Sequence, residues 1–371
     1  MDESRAWAER LLNEVLGRWL AVADRPNGLF HHRFDRAWQP LDGGPCTLVS
    51  QGRLIYNFCR GYQRTSDAAY ADAAQRGLEA LGRYFQPDPQ RPWCWAVHPD
   101  GRPADATANC YGHAFVMLAY ATAAEALGES EFTARGLATW RLIQDHFADS
   151  HGGYRWLVGA VGGSESEQRS QNPLMHCYEA LLALAVTDSS GTARRAASEL
   201  WRFLEARCLG PGRLPEWYDA AWQPLADGPR RGIDVGHACE WAFLLSEAAA
   251  LGLGEELPER GREFLDYALA VGYDATEGGF ISVVDFAGRP TSTHKGWWQQ
   301  CEGIRALCRY ARRHQHPAAA AALGPCLDYA RRTFHDPELG GWYADPPHNL
   351  DKGNAYKLDY HVVNCCLELL A

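Results

Sequence analysis

Six short segments of this 371-residue chain carry side chains that a purely structural helix does not need. They are Ser50-Gln51-Gly52-Arg53, Asn109-Cys110-Tyr111-Gly112-His113, Gln171-Asn172-Pro173-Leu174-Met175-His176, Gly236-His237-Ala238-Cys239-Glu240, Lys295-Gly296-Trp297-Trp298-Gln299-Gln300-Cys301-Glu302 and Lys357-Leu358-Asp359-Tyr360-His361. Together they suit proton transfer on a polar small molecule. Histidine changes charge close to neutral pH, so it serves as base or acid without a large pKa shift. Arginine and amide donors stabilise oxyanion charge as it develops. The Trp297–Trp298 pair offers a flat face for the C–H side of a sugar ring. Asn172 and His176 stand one helical turn apart, and His237 and Glu240 stand at i and i+3, so the Glu240 carboxylate is placed to orient the imidazole or hold a hydroxyl. Pro173 reads as a first helical residue, with Asn172 as its cap. Trp297 and Glu302 are one and a half turns apart and need not face the same way. Taken singly, each residue also has a structural reading: a core histidine, a helix cap, a buried aromatic.

Such a site needs rigid elements to hold it, and the sequence supplies them as a repeat. Phe30, Trp93, Tyr154, Trp217, Phe280 and Trp342 each sit in a Gly- or Pro-containing turn, and successive ones are 61 to 63 residues apart. Between them, residues 67–85, 115–127, 132–147, 174–186, 191–207, 238–251, 258–271, 300–313 and 317–333 show apolar residues at helical spacing. Two helices per unit over six units predicts an all-α fold, an (α/α)6 barrel or toroid. It has short hairpins gathered at one end and forms a single domain over 1–371. The polar segments follow each aromatic turn by roughly 15 to 23 residues, where the next helix begins, and this common phase predicts one shared pocket.

Composition narrows the class. Hydrophobic residues make up 46% and the formal net charge is −10, which suits a globular core and argues against a nucleic-acid partner. No stretch approaches a membrane span, and no signal-peptide pattern follows the acidic N-terminus, so the expected location is the cytoplasm. Twelve cysteines occur, several inside apolar helical patterns and none in a CxxC pair. Reduced, buried thiols are expected, with no structural zinc. His237-x-x-Glu240 resembles half of a carboxylate–histidine metal motif, but no second copy exists, so neither metal nor cofactor is expected.

The stretches QNPLMHCYEA (171–180), GHACEWAFLL (236–245), KGWWQQCEG (295–303) and KLDYHVVN (357–364) resemble the N-acylglucosamine 2-epimerase superfamily, which includes cellobiose 2-epimerases, mannose isomerases and sulfoquinovose isomerases. The resemblance spans essentially the whole chain and implies an (α/α)6 barrel. It implies His237 and His361 as the catalytic pair, with Arg53, Tyr111, Asn172, His176, Glu240, Trp297 and Glu302 around the sugar. Members that isomerise mannose-type sugars carry an arginine shortly before the Gly-His motif, where this chain reads Pro229-Arg230-Arg231-Gly232. The disaccharide branch tends to carry an extra histidine at the position filled here by Leu174, and the N-acetylglucosamine branch is less similar around Asn172–His176. Both departures favour a free monosaccharide. The expected activity is aldose–ketose isomerisation of D-mannose and D-fructose through a cis-enediolate, by a monomer or homodimer. A sugar 2-epimerase is the alternative. A glycoside hydrolase using Glu240 and Glu302 and a non-catalytic helical scaffold are more distant ones.

Overall fold

The computed structural model describes residues 2–41, 43–159, 167–226 and 232–371. Among these, the regular structure is helical apart from strands of two or three residues. The helices are α1 (Asp2–Val22), α2 (Leu48–Thr65), α3 (Ala68–Ala80), α4 (Cys110–Leu127), α5 (Ser130–Phe147), α6 (Gln171–Thr187), α7 (Thr192–Glu205), α8 (Val235–Ala250), α9 (Leu257–Gly272), α10 (Trp297–Arg313), α11 (Pro317–Phe334) and α12 (Tyr360–Leu370). A π turn, Leu81–Phe85, continues α3.

Two kinds of helix alternate. From α2 to α10 the even-numbered helices are buried nearly all round; α4 buries Cys110 and every residue from Gly112 to Ala124. Their neighbours bury one stripe. In α5 the buried residues are Thr133, Gly136, Thr139, Trp140, Leu142, Ile143 and Phe147, the spacing of an amphipathic helix.

The chain divides into two compact units. One comprises Leu16–Phe203 and Asp351–Tyr360, with α4 packed on α2, α5 and α6. The other comprises Met1–Val15, Leu204–Leu350 and His361–Ala371, with α8 packed on α9 and α10, and α10 on α11.

The buried helices start earlier than apolar spacing predicts: α4 at 110 rather than 115, α6 at 171 rather than 174, α8 at 235 rather than 238 and α10 at 297 rather than 300. The polar segments are their first turns. Side-chain caps make this possible by satisfying backbone N–H groups that a helix start leaves open. Asn109 Oδ1 accepts from Tyr111 N (2.9 Å) and Asp234 Oδ1 from Gly236 N (2.8 Å). In α6 the cap is Ser170, whose Oγ accepts from Asn172 N at 3.3 Å. Asn172 therefore lies inside the helix and is not its cap. Pro173 is the third helical residue, still within the turn that needs no N–H donor.

The aromatic turns are fastened to these helix starts. Phe30, Tyr154, Phe280 and Trp342 each close an antiparallel bridge, to Asp24, Ala148, Tyr273 and His335. The Phe280 turn uses Gly278 and Gly279, both at φ near +80°, where a side chain would be strained. A side chain from the following buried helix then takes up the aromatic residue's backbone. Gln51 Oε1 accepts from Phe30 N (2.8 Å), His113 Nε2 from Trp93 N (3.0 Å) and Gln300 Oε1 from Phe280 N (2.8 Å). The two glutamines also donate back to the same residue's carbonyl. Part of the periodic polarity of the sequence is thus structural.

Candidate functional site

In the 204–350 unit, α8, α10 and α12 bring two histidines to one indole. The Trp298 ring lies 4.9 Å from His237 and 5.7 Å from His361, centroid to centroid. Trp297 meets His361 edge-on at 5.5 Å. Gly236 makes room for this packing: a Cβ there would stand 2.6 Å from Gln299 Cγ and 2.7 Å from Trp298 Cζ3.

Each histidine has its own carboxylate. His237 Nδ1 lies 2.9 Å from Glu216 Oε1, and both side chains are 11% exposed. Burial works to lower the His237 pKa, but the Glu216 ion pair and hydrogen bond, with Asp234 and Glu240 nearby, outweigh it and raise the imidazole to about 10. Burial raises the Asp234 carboxyl to about 6, against the pull of charged His237. His361 Nδ1 lies 2.7 Å from Oε1 of Glu302, whose side chain is fully buried. Glu302 Oε2 lies 3.2 Å from Nη1 of Arg305.

In the 16–203 unit, Arg53 Nη2 donates to Tyr111 Oη at 2.9 Å, and Arg53 Nη1 donates to the Tyr356 carbonyl. Its guanidinium carbon lies 4.4 Å from the Phe115 ring centroid and 5.1 Å from that of Tyr360. His176 Nδ1 lies 3.0 Å from Glu179 Oε2, while the other Glu179 oxygen accepts from the Tyr360 hydroxyl. The Tyr111 and Phe115 rings approach His176 at 5.1 and 4.8 Å. Asn172 Oδ1 is buried and has no hydrogen-bond partner among the described residues. Ahead of α12, buried Lys357 and Asp359 pair at 2.7 Å, and Trp19 Nε1 donates to Asp359 at 2.9 Å, which fixes the start of that helix.

Within the 204–350 unit the structure gathers His237, His361, Trp297, Glu240 and Glu302 from the residues singled out in the sequence. Within the other it gathers Arg53, Tyr111 and His176. Pro229, Arg230 and Arg231 lie outside the described residues. Two relationships differ from expectation. The carboxylate bonded to His237 is Glu216, in the aromatic turn, rather than Glu240 one helical turn away. Trp297 and Glu302 converge after all, because both reach His361. Sequence reasoning missed Glu179, Glu216, Arg305 and the pivotal position of Trp298. Of these, Trp298 carried a signal as half of the Trp pair, and Glu216 as the charged residue in Pro215-Glu216-Trp217.

One donor atom each of Glu240, Glu302 and His361 lie within 4.8 Å of one another, close enough to consider a cation. The two Glu302 oxygens, however, are already engaged by His361 and by the Arg305 guanidinium, which supplies positive charge there. Among the described residues no helix is long and apolar enough to cross a membrane.

Comparison with known proteins places the chain in a family. The family model described as N-acylglucosamine 2-epimerase (GlcNAc 2-epimerase) matches residues 28–365. A D-mannose isomerase of Marinomonas mediterranea is 26% identical over 99% of this chain and 97% of its own length. A cellobiose 2-epimerase of Eubacterium cellulosolvens is 24% identical, covering 98% of this chain and 96% of its own. A crystal structure of D-mannose isomerase superposes with a TM-score of 0.91 at 25% identity, over 98% of this chain and 97% of that one. The fold is accordingly the (α/α)6 barrel that the repeat predicts.

Proposed function

The chain belongs to the N-acylglucosamine 2-epimerase family, and from that premise we propose that it is an aldose–ketose isomerase acting on a free monosaccharide, D-mannose to D-fructose. The observation that carries this reading is the pair of histidines on one indole, held by different electrostatic partners. His237, raised to about 10, is protonated at neutral pH and acts as the acid. His361 acts as the base through Nε2, with Nδ1–H directed to Glu302.

The proton balance is simple. After ring opening, His361 takes the C2 proton, the electrons of the broken C–H bond form the C1–C2 double bond, and His237 protonates the C1 oxygen. The resulting cis-enediol then gives its O2 proton to His237 while His361, whose acquired N–H proton exchanges with solvent at this stage, protonates C1 on the same face, leaving a ketone at C2. Trp297 supports a face of the sugar and Glu240 takes a hydroxyl. Arg53, Tyr111, Asn172 and His176 are sugar contacts on the strength of their motif resemblance. Residues 1–371 act as one domain, in the cytoplasm, as a monomer or homodimer without metal or cofactor. The thiol form of all twelve cysteines suits a reducing compartment.

Incubation with D-mannose in D2O, followed by NMR of the products, tests the reading. Fructose carrying deuterium at C1 is the expected product. Glucose labelled at C2 means that the proton returned to the opposite face, and the protein is then a 2-epimerase. No turnover of mannose, glucose, fructose or lyxose overturns the monosaccharide assignment.

A further inference from the structure

Glu302 stands on the second turn of α10 with no exposed surface. A carboxylate so placed costs several kcal/mol in lost hydration unless its partners compensate. His361 engages one oxygen. The other faces Arg305, one turn along the same helix and itself 7% exposed. The Arg305 guanidinium carbon lies 3.6 Å from the ring centroid of Phe243 on α8, and that of Arg309 lies 4.3 Å from the same ring. Arg309 is committed elsewhere. It donates to both oxygens of Glu368, at 2.8 and 2.6 Å, and to Glu247. Phe243 and Glu368 thus define where each guanidinium sits, and Arg305 Nη1 is directed at Glu302. An i,i+3 ion pair adds only about 0.2–0.5 kcal/mol to a helix, too little to explain burying two charges.

We propose that Arg305 is a positioning residue for proton transfer at His361, keeping the Glu302 carboxylate ionised and turned toward Nδ1 in both protonation states of the imidazole. The inference rests on the reading of His361 as the base. A buried imidazole and carboxylate left to themselves share protons and titrate as a coupled pair. Arginine stays charged throughout the working range, so it holds the negative charge on Glu302 and leaves the proton change to the ring. It also offsets part of the carboxylate's pull on that proton, which lets His361 give it up and accept another from carbon. The charged groups brought to His361 include Glu302 on α10, with Arg305 behind it, and Glu240 on α8.

The test is an NMR titration of the His361 imidazole beside the pH profile of kcat/KM, in the wild type and in Arg305→Gln. Loss of the cation lets the buried imidazole–carboxylate pair hold its proton more tightly, so the apparent pKa read at His361 and the acid limb of the profile both rise by about one pH unit. A folded Arg305→Gln in which neither moves overturns the proposal. Arg305→Lys keeps the charge without the planar fork. It is expected to hold the acid limb within about 0.3 pH unit of wild type while lowering kcat about tenfold. A lysine variant whose limb moves a full unit, or whose kcat equals the wild type, overturns the proposal even if the glutamine variant does not fold. Activity retained in His361→Asn sinks the base assignment instead, and the NMR titration of wild type against Arg305→Gln still reads the effect of Arg305.

Discussion

Nδ1 of His361 lies 2.7 Å from Oε1 of Glu302, a carboxylate with no exposed surface. The bond sets the tautomer of the imidazole, with the proton on Nδ1 and the basic lone pair on Nε2. Glu302→Gln keeps the shape and removes the charge. It is expected to lower kcat about 10²–10⁴-fold, the usual worth of a positioned acid or base, with the far-UV circular dichroism spectrum unchanged. His361→Asn and His237→Asn are each expected to abolish turnover. A variant at either histidine with near-normal kcat removes that residue from the mechanism.

Glu216 gives His237 a different character. With the imidazole raised to about 10, the acid form persists through neutral pH, and kcat/KM is expected to fall only as pH rises through about 10. Glu216→Gln removes the main raising influence, so this basic limb moves down by about 2–3 pH units toward an ordinary histidine. The same shift acts on stability. A group whose pKa is higher in the folded state stabilises fully below its unfolded value of about 6.5 and loses that contribution as pH rises through the folded value. The Tm difference between wild type and Glu216→Gln should therefore be large at pH 6 and small at pH 10.5. An equal difference at both would show that the pair is not ionised.

Gly236 lies against Trp298, the indole shared by both histidines. Gly236→Ala forces that ring or Gln299 aside. Overpacking of this kind costs about 1–3 kcal/mol. Because Trp298 sets the spacing of the histidines, kcat should fall more than tenfold while the protein still melts cooperatively. A variant that loses Tm alone would show that the indole position does not matter to the chemistry.

Arg53 is held by Tyr111 and the Tyr356 carbonyl and lies near the Phe115 and Tyr360 rings. Lysine carries the same charge but neither the planar fork nor the stacking surface. Arg53→Lys is expected to raise KM about tenfold, the loss of roughly 1.4 kcal/mol of binding, with a smaller change in kcat. An unchanged KM would remove Arg53 from the sugar contacts.

Glu240, Glu302 and His361 come close enough to raise the question of a metal, and Arg305 argues against one. Exhaustive chelation with EDTA is expected to leave the rate of mannose turnover unchanged. A loss restored by a divalent cation would reassign the cluster.

The sequence made the helical repeat legible because turn glycines and aromatics recur at a spacing set by the length of a helix pair. It made the polar first turns legible because imidazoles and amides are conspicuous beside Ala and Leu. The partners were harder to see. Glu216 lies 21 residues before His237, and Glu302 lies 59 before His361, so no helical periodicity links them. Trp298 looked like half of a Trp pair, and only the packing at Gly236 shows why it matters more than a generic wall. The helix starts were misjudged by three to five residues because apolar spacing fades where caps take over. The role of Gln51, His113 and Gln300 was hidden for a related reason: a polar residue in phase with a repeat looks the same whether it faces a ligand or a turn.

Those three fasteners stand two residues from Arg53, Tyr111 and Glu302 respectively. Two residues on an α-helix are roughly 200° apart, so fastener and neighbouring polar side chain leave opposite sides of the same helix. The chassis and its tooling are therefore bolted on separately. A substitution at 53, 111 or 302 is expected to change the chemistry while the turns at Phe30, Trp93 and Phe280 stay clamped. Exchange at 51, 113 or 300 would loosen the mount itself.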